Sequence, residues 1–204
     1  MALMQSNSGE GNFTVYIKYN AKAGRWYTKE DKPEAEEYEV TNVTGIFDLA
    51  NVRTGWFLFA AGVAPAKTFD PSLAEAAPKP GDGFKRGFEV AVFSDKNFGG
   101  LREFSSTASV VIDAINPLYD AYMAAPERGQ GKLPVVKCAG VLPVTGKHGT
   151  NYQPQFEIVA WADRPVEMAG DQPKAPAAAP PAAKAPAAHV PPPAPVAETA
   201  DVDF

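Results

Sequence analysis

Phe84-Lys-Arg-Gly-Phe-Glu-Val-Ala-Val-Phe-Ser94 is the stretch whose reading decides the fold. It is dense in β-branched and aromatic residues, with Phe88, Val90 and Val92 on one alternation and Glu89, Ala91 and Phe93 on the other. Strand side chains point to opposite faces in turn, so one of these sets lies inside and the other outside. Downstream, Asp95-Lys-Asn-Phe-Gly-Gly100 reads as a turn and Leu101-Arg-Glu-Phe104 as the returning strand. Ser105 or Ser106 is then placed to cap a helix, because Val110, Val111, Ala114, Ile115, Leu118, Tyr122 and Met123 recur at helical spacing as far as Pro126. Pro117 lacks a backbone N–H and is expected to interrupt that helix or to start its second part. Two strands follow, Leu133 to Val144 and Gln155-Phe-Glu-Ile-Val-Ala-Trp161.

Upstream, Phe13-Thr-Val-Tyr-Ile-Lys-Tyr19 puts Phe13, Val15, Ile17 and Tyr19 on one face. Asn20-Ala-Lys-Ala-Gly24 is a turn and Arg25-Trp-Tyr-Thr28 a second strand, which makes a hairpin. Tyr38 to Thr44 is a strand, Ile46-Phe-Asp-Leu49 an apolar block, and Gly55-Trp-Phe-Leu-Phe-Ala60 a short buried strand. Residues 62–83 are rich in Pro and Gly and read as one long loop. Strands, then one helix, then two strands predict a mainly β fold. The expectation is an OB-fold-like five-stranded barrel with one inserted helix and a disordered C-terminal tail.

The domain boundaries follow from composition. Of 3 Trp, 7 Tyr and 12 Phe, all but Phe204 lie before residue 170. Residues 1–169 are long enough for one domain with a core. Residues 170–196 are mostly Pro and Ala and cannot offset the entropy of ordering, so they read as a disordered linker. Residues 197–204 form an acidic tip. A net charge of -5 argues against coating duplex DNA by charge alone. The single cysteine, Cys138, sits in an apolar strand; it excludes an internal disulfide and suits a reducing compartment. Met1-Ala-Leu-Met-Gln-Ser-Asn-Ser8 has neither a basic segment nor an apolar run, so it does not read as a signal peptide. No stretch approaches the roughly 20 apolar residues of a membrane span, and the expected location is the cytoplasm.

The motifs of catalysis fail one by one. In Gly81-Asp-Gly-Phe-Lys-Arg-Gly87 the third glycine comes a residue late for a dinucleotide fingerprint, and a strand follows rather than a helix. Gly140-Val-Leu-Pro-Val-Thr-Gly-Lys-His148 has one residue too many for a phosphate loop, and His148 stands where Ser or Thr must meet magnesium. Two histidines and one cysteine far apart make no zinc set, and no nucleophile–base pair is flagged. No catalytic residue, metal or cofactor is expected.

Cations and flat rings are interleaved instead. Lys18, Tyr19, Lys22, Arg25, Trp26 and Tyr27 fill the first hairpin; Lys85, Arg86, Phe88, Lys96, Phe98 and Arg102 fill the strands and turn from 84 to 102. Lys147, His148 and Tyr152 occupy the last hairpin loop. Single-stranded nucleic acid needs a basic groove for phosphates and aromatic platforms for bases, each stacked base being worth about 1–3 kcal/mol. Alternation sends half of these rings inward. Glu30, Asp31, Glu34, Glu36, Glu37 and Glu39 read as a solvated edge or loop that repels phosphate. The tip, Asp201, Val202, Asp203 and Phe204, offers one aromatic ring with acids beside it, the chemistry of a mobile bait for an apolar pocket rimmed by basic residues. It is also suited to occupying a basic groove when DNA is absent.

Tyr16-Ile-Lys-Tyr-Asn-Ala-Lys-Ala-Gly-Arg-Trp-Tyr27, Asn51-Val-Arg-Thr-Gly-Trp-Phe57 and the Asp201-Val-Asp-Phe204 ending together resemble single-stranded DNA-binding proteins of the tailed-bacteriophage or prophage kind. The bacterial cellular versions usually place Pro before the final Phe, where this chain has Asp203. The resemblance implies an OB-fold, no catalysis, no metal, and protection of single strands in replication, recombination or repair within a bacterial host cell. It also implies that the tip recruits replication or recombination proteins. A homo-oligomer is compatible with it. The competing readings are a structural or protein-interaction module, such as a virion or assembly component with a spacer tail, and an enzyme acting on nucleic acid.

Overall fold

The structure is a computed structural model that describes residues 15–30, 32, 35–60, 65–147 and 149–171. Ten strands appear among them: β1 (Tyr16–Asn20), β2 (Arg25–Lys29), β3 (Glu37–Val40), β4 (Thr44–Phe47), β5 (Arg53–Leu58), β6 (Ala66–Phe69), β7 (Lys85–Ser94), β8 (Gly100–Ser106), β9 (Leu133–Gly146) and β10 (Gly149–Ala162). A one-turn helix α1 (Asp95–Phe98) separates β7 from β8, and the long helix α2 (Ser109–Ala124) separates β8 from β9. The fold is mainly β. The sheet is mixed and open, in the order β10-β9-β4-β7-β8-β1-β2-β3, with β5 and β6 attached beside β7. Ten strands in one open sheet, eight of them in the main path, stand where a closed five-stranded barrel was expected. The expected N-terminal hairpin is present and joins β8 through a parallel pairing of β1, and β6 lies inside the segment expected to be loop.

The hairpin forms as its residues dictate. Ala23 and Gly24 donate to the Asn20 carbonyl, the Asn20 side chain accepts from Lys22 and Ala23 N–H, and Gly24 takes the positive φ of 68° that closes the turn. Ile17 and Tyr19 then face Thr28 and Trp26 across the pair. The strand expected over Tyr38 to Thr44 divides into β3 and β4, which lie in different parts of the sheet.

Phe88, Val90 and Val92 of β7 are the inward set and meet Phe104 of β8 and Val110, Val111, Ile115 and Leu118 of α2 in one core. Rings build its centre: Trp26 stands 4.8 Å from Tyr19, 4.9 Å from Phe104 and 6.0 Å from Phe156, centroid to centroid. Helix α2 buries the expected stripe but leaves Met123 exposed. It runs through Pro117 without a break, and its N-cap position is Ala108 rather than Ser105 or Ser106; Ser106 Oγ accepts from the Ala108 N–H. Pro117 is on the exposed side of the helix, where the missing hydrogen bond costs least. No helix among the described residues is long and apolar enough to cross a membrane.

Candidate nucleic-acid interface

The outward alternation of the hairpin collects Tyr16, Lys18 and Asn20 from β1 and Arg25, Tyr27 and Lys29 from β2, because Ile17, Trp26 and Thr28 are committed to the interior. Lys18 is paired in register with Tyr27, and Asn20 with Arg25. Lys18 Nζ stands 5.9 Å from the ring centres of both Tyr16 and Tyr27, and Lys29 Nζ stands 5.9 Å from that of Tyr16. These distances lie within reach of a cation–π attraction. β3 adds acids to the same face, since Tyr27 pairs with Glu39 and Lys29 with Glu37. Lys18 Nζ donates to both Glu37 carboxylate oxygens at 2.5 Å, the Tyr16 hydroxyl donates to Glu37 at 2.5 Å, and Arg25 donates to Glu39 at 2.9 Å. Burial pushes the Glu37 carboxyl up, but the hydrogen bonds from Lys18 and Tyr16 outweigh it and hold the group below its usual range. Burial, then Glu37, pushes the Tyr16 phenol up to about 12.

The face continues across β8 to β7. Tyr16 pairs with Glu103, Glu103 with Ala91, and Ser105 with Glu89. Lys85, exposed at the start of β7, has the same alternation as Glu89 and Ala91. Between Lys85 and the hairpin lies a cluster the sequence did not announce. Glu89, buried to 5% side-chain exposure, is bonded by Arg53 and by Lys67 at 2.5 Å, and Lys67 also donates to Glu103. Burial leads the forces that push the Glu103 carboxyl up. The Arg53 guanidinium lies 4.0 Å from the Phe69 ring centre. Arg53, Lys67 and Phe69 belong to this face and are not among the residues the sequence points to: Lys67 and Phe69 lie on β6, which carries no strand signal in its Pro-rich surroundings, and Arg53 precedes the apolar stretch that reads as β5.

Of the residues selected from the sequence, Lys18, Arg25, Tyr27 and Lys85 share this face, and exposed Lys22 sits in the hairpin turn. The others do not join them. Trp26, Phe88 and Phe98 are core residues with 5%, 3% and 1% exposure, so they present no ring to a base. Arg102 is buried and ties strands together, donating to Thr28 Oγ1 at 3.1 Å, to the Leu101 carbonyl at 2.8 Å and to the Lys29 carbonyl at 3.3 Å. Arg86 points to the opposite face, where both its terminal nitrogens bond Asp70 at 2.7 and 2.6 Å. Asp70 also accepts from Thr54 at 2.5 Å and from Ala77 N–H at 2.9 Å. Led by the Arg86 hydrogen bonds, this set holds the Asp70 carboxyl far below the usual carboxylate range. Trp56 caps the clamp, 5.3 Å from Arg86 and 5.9 Å from Lys79, with its indole N–H donating to the Ala77 carbonyl at 2.8 Å. Asp70 and Trp56 were not selected either; the clamp fastens the 70–83 loop to β7.

Tyr19 is half-buried and donates its hydroxyl to the Tyr152 carbonyl at 2.9 Å, while burial pushes its phenol up to about 12. Tyr152 returns the contact by donating its N–H to the Ala21 carbonyl at 2.7 Å. These two tyrosines form a seam rather than a stacking platform. Lys96 is exposed on α1, beyond the far end of β7 from Lys85, and Lys147 is exposed at the tip of the β9–β10 hairpin. His148, the linker 172–196 and the tip residues Asp201, Val202, Asp203 and Phe204 lie outside the described residues. Cys138 is half-buried and unpaired with another cysteine, and burial pushes its thiol up. No group of His, Cys, Asp and Glu among the described residues is disposed to hold a metal ion.

No family model, curated protein or solved structure matches this chain.

Proposed function

We propose that this chain is a single-stranded DNA-binding protein without sequence preference, serving phage replication, recombination or repair, and that its binding surface is the outer face of the β1–β2 hairpin and its continuation toward Lys85. The observation that carries this is the alternation of Tyr16, Lys18, Tyr27, Arg25 and Lys29 on one face of one hairpin. That face offers cations with rings between them, the combination unpaired nucleic acid requires. In this reading the hairpin β7–β8, helix α2 and the hairpin β9–β10, joined through β4, form an OB-like body with the N-terminal hairpin inserted at its seam. The reading involves no catalysis and no cofactor. It assigns the acidic tip, Asp201 to Phe204, the recruitment of replication or recombination proteins.

The test is a titration of the full chain with fluorescently labelled oligo-dT, followed by anisotropy at rising salt. Binding that weakens with log K falling about 0.7 per log salt for each phosphate neutralised is the expected result. Absence of binding at low salt rejects the assignment. A second reading, a protein-interaction module, is favoured by Val141, Leu142 and Val144, which stand 41%, 52% and 37% exposed along the outer part of β9. Loss of oligonucleotide binding together with self-association in sedimentation would favour it.

A further inference from the structure

We infer that the outer face of the hairpin contains two phosphodiester subsites and that the fold fills both with its own carboxylates: Glu37 on Lys18 and Tyr16, and Glu39 on Arg25. The inference rests on the nucleic-acid reading above; it names the atoms that meet phosphate and what must leave first. A carboxylate and a phosphate ask for the same donors. Glu37 receives three hydrogen bonds, two from Lys18 Nζ at 2.5 Å and one from the Tyr16 hydroxyl at 2.5 Å, and Glu39 receives Arg25 at 2.9 Å. The two acids are separated by one residue on a strand, which sets their backbones about 6–7 Å apart. Adjacent phosphates of an extended single strand have a similar separation. Tyr27, half-exposed and paired with both Lys18 and Glu39, lies between the subsites where a base attached to those phosphates would stack.

β3 is built to yield. It has four residues, ends the sheet path, pairs among the described residues only with β2, and buries only Val40 of its four. The side chains of the Lys18–Glu37 pair are 47% and 36% exposed and those of Arg25–Glu39 are 59% and 37% exposed, so water screens both attractions. A polyanion presenting several phosphates at once outcompetes two separate carboxylates; a single small anion does not. The acids thus work as a threshold that admits nucleic acid and refuses stray anions.

The experiment compares full-length wild type with Glu37→Gln/Glu39→Gln, using labelled oligo-dT over a range of salt. Glu157→Gln/Glu167→Gln, which makes the same change in net charge at exposed positions elsewhere, is the control. At low salt the first variant is expected to bind at least about tenfold more tightly, with the salt slope steeper by about 0.7 for each cation released. The gain is expected to vanish when Lys18→Gln is added. An unchanged or weaker variant, or an equal gain in the control, overturns it and leaves the nucleic-acid reading standing. Failure of wild type and variant alike overturns both. If thermal melting finds the double variant unfolded, Glu39→Gln with and without Arg25→Gln carries the same comparison.

Discussion

Trp26 and Tyr27 are neighbours in the chain with opposite tasks. Trp26 supplies a ring to the core, and Tyr27 supplies one to the surface. Trp26→Ala is therefore expected to cost about 3–5 kcal/mol in urea unfolding. Tyr27→Ala is expected to leave stability nearly unchanged and to weaken oligo-dT binding by about 1–3 kcal/mol in the anisotropy titration. Alternation along Arg25-Trp-Tyr27 demands that one ring go in; the register that places Trp26 opposite Tyr19 decides which, and register is not written in either strand alone. The same limit applies to the arginines. Arg86 and Arg102 read as surface cations because their partners, Asp70 and Thr28, are 16 and 74 residues away. Asp70 yields a pH prediction. Its carboxyl is depressed in the folded chain relative to its ordinary value of 3.8. The stabilisation it gives is therefore complete above that value and is lost as pH falls through the folded one. Asp70→Asn should cost about 2–3 kcal/mol near neutrality, and the difference in Tm from wild type should narrow below about pH 4.

Helix α2 and the two hairpins carry most of what was legible from local pattern. The apolar stripe from Val110 to Tyr122, the Asn20–Gly24 turn and the β7–β8 pair all follow from spacing and turn chemistry. Pro117 does not conform to its usual effect. The helix continues through it because the buried residues on either side, Ala114, Ile115 and Leu118, bind both halves to one core. Restoring the N–H should then stabilise the protein: Pro117→Ala is expected to add about 1–3 kcal/mol in urea unfolding with an unchanged slope. β6 is invisible to local pattern for the converse reason. Ala66-Lys-Thr-Phe69 has no alternation of its own and is held as a strand by pairing with β5, where Gly55 lets the backbone in; a Cβ there would lie 2.4 Å from the Thr68 carbonyl oxygen.

For the whole molecule, strand number and closure were the least legible features. A mainly β body with a helix before its last hairpin was readable, but nothing local states that β1 runs parallel to β8 or that β10 curls back onto the β1–β2 turn. That return contact is thin. Among the described residues it includes ring packing between Trp26 and Phe156, the Tyr152 side chain against Gly24, and the Tyr19 hydroxyl and the Tyr152 N–H, each with one backbone carbonyl. Tyr19→Phe removes the hydroxyl's bond and is expected to cost about 1 kcal/mol in thermal unfolding, without altering the far-ultraviolet circular dichroism.

The seam also has a temporal side. Tyr19 and Tyr152 stand 133 residues apart in the chain. Such distant partners must wait for a long segment to be ordered between them, and chains rich in them fold slowly. During synthesis Tyr19 of the N-terminal hairpin and Phe104 emerge long before β10, so the indole of Trp26 gains Phe156, the most distant of these three rings in sequence, only after β10 has left the ribosome. Birth order therefore sets a window in which this part of the core is incomplete, and it closes only once β10 has been made.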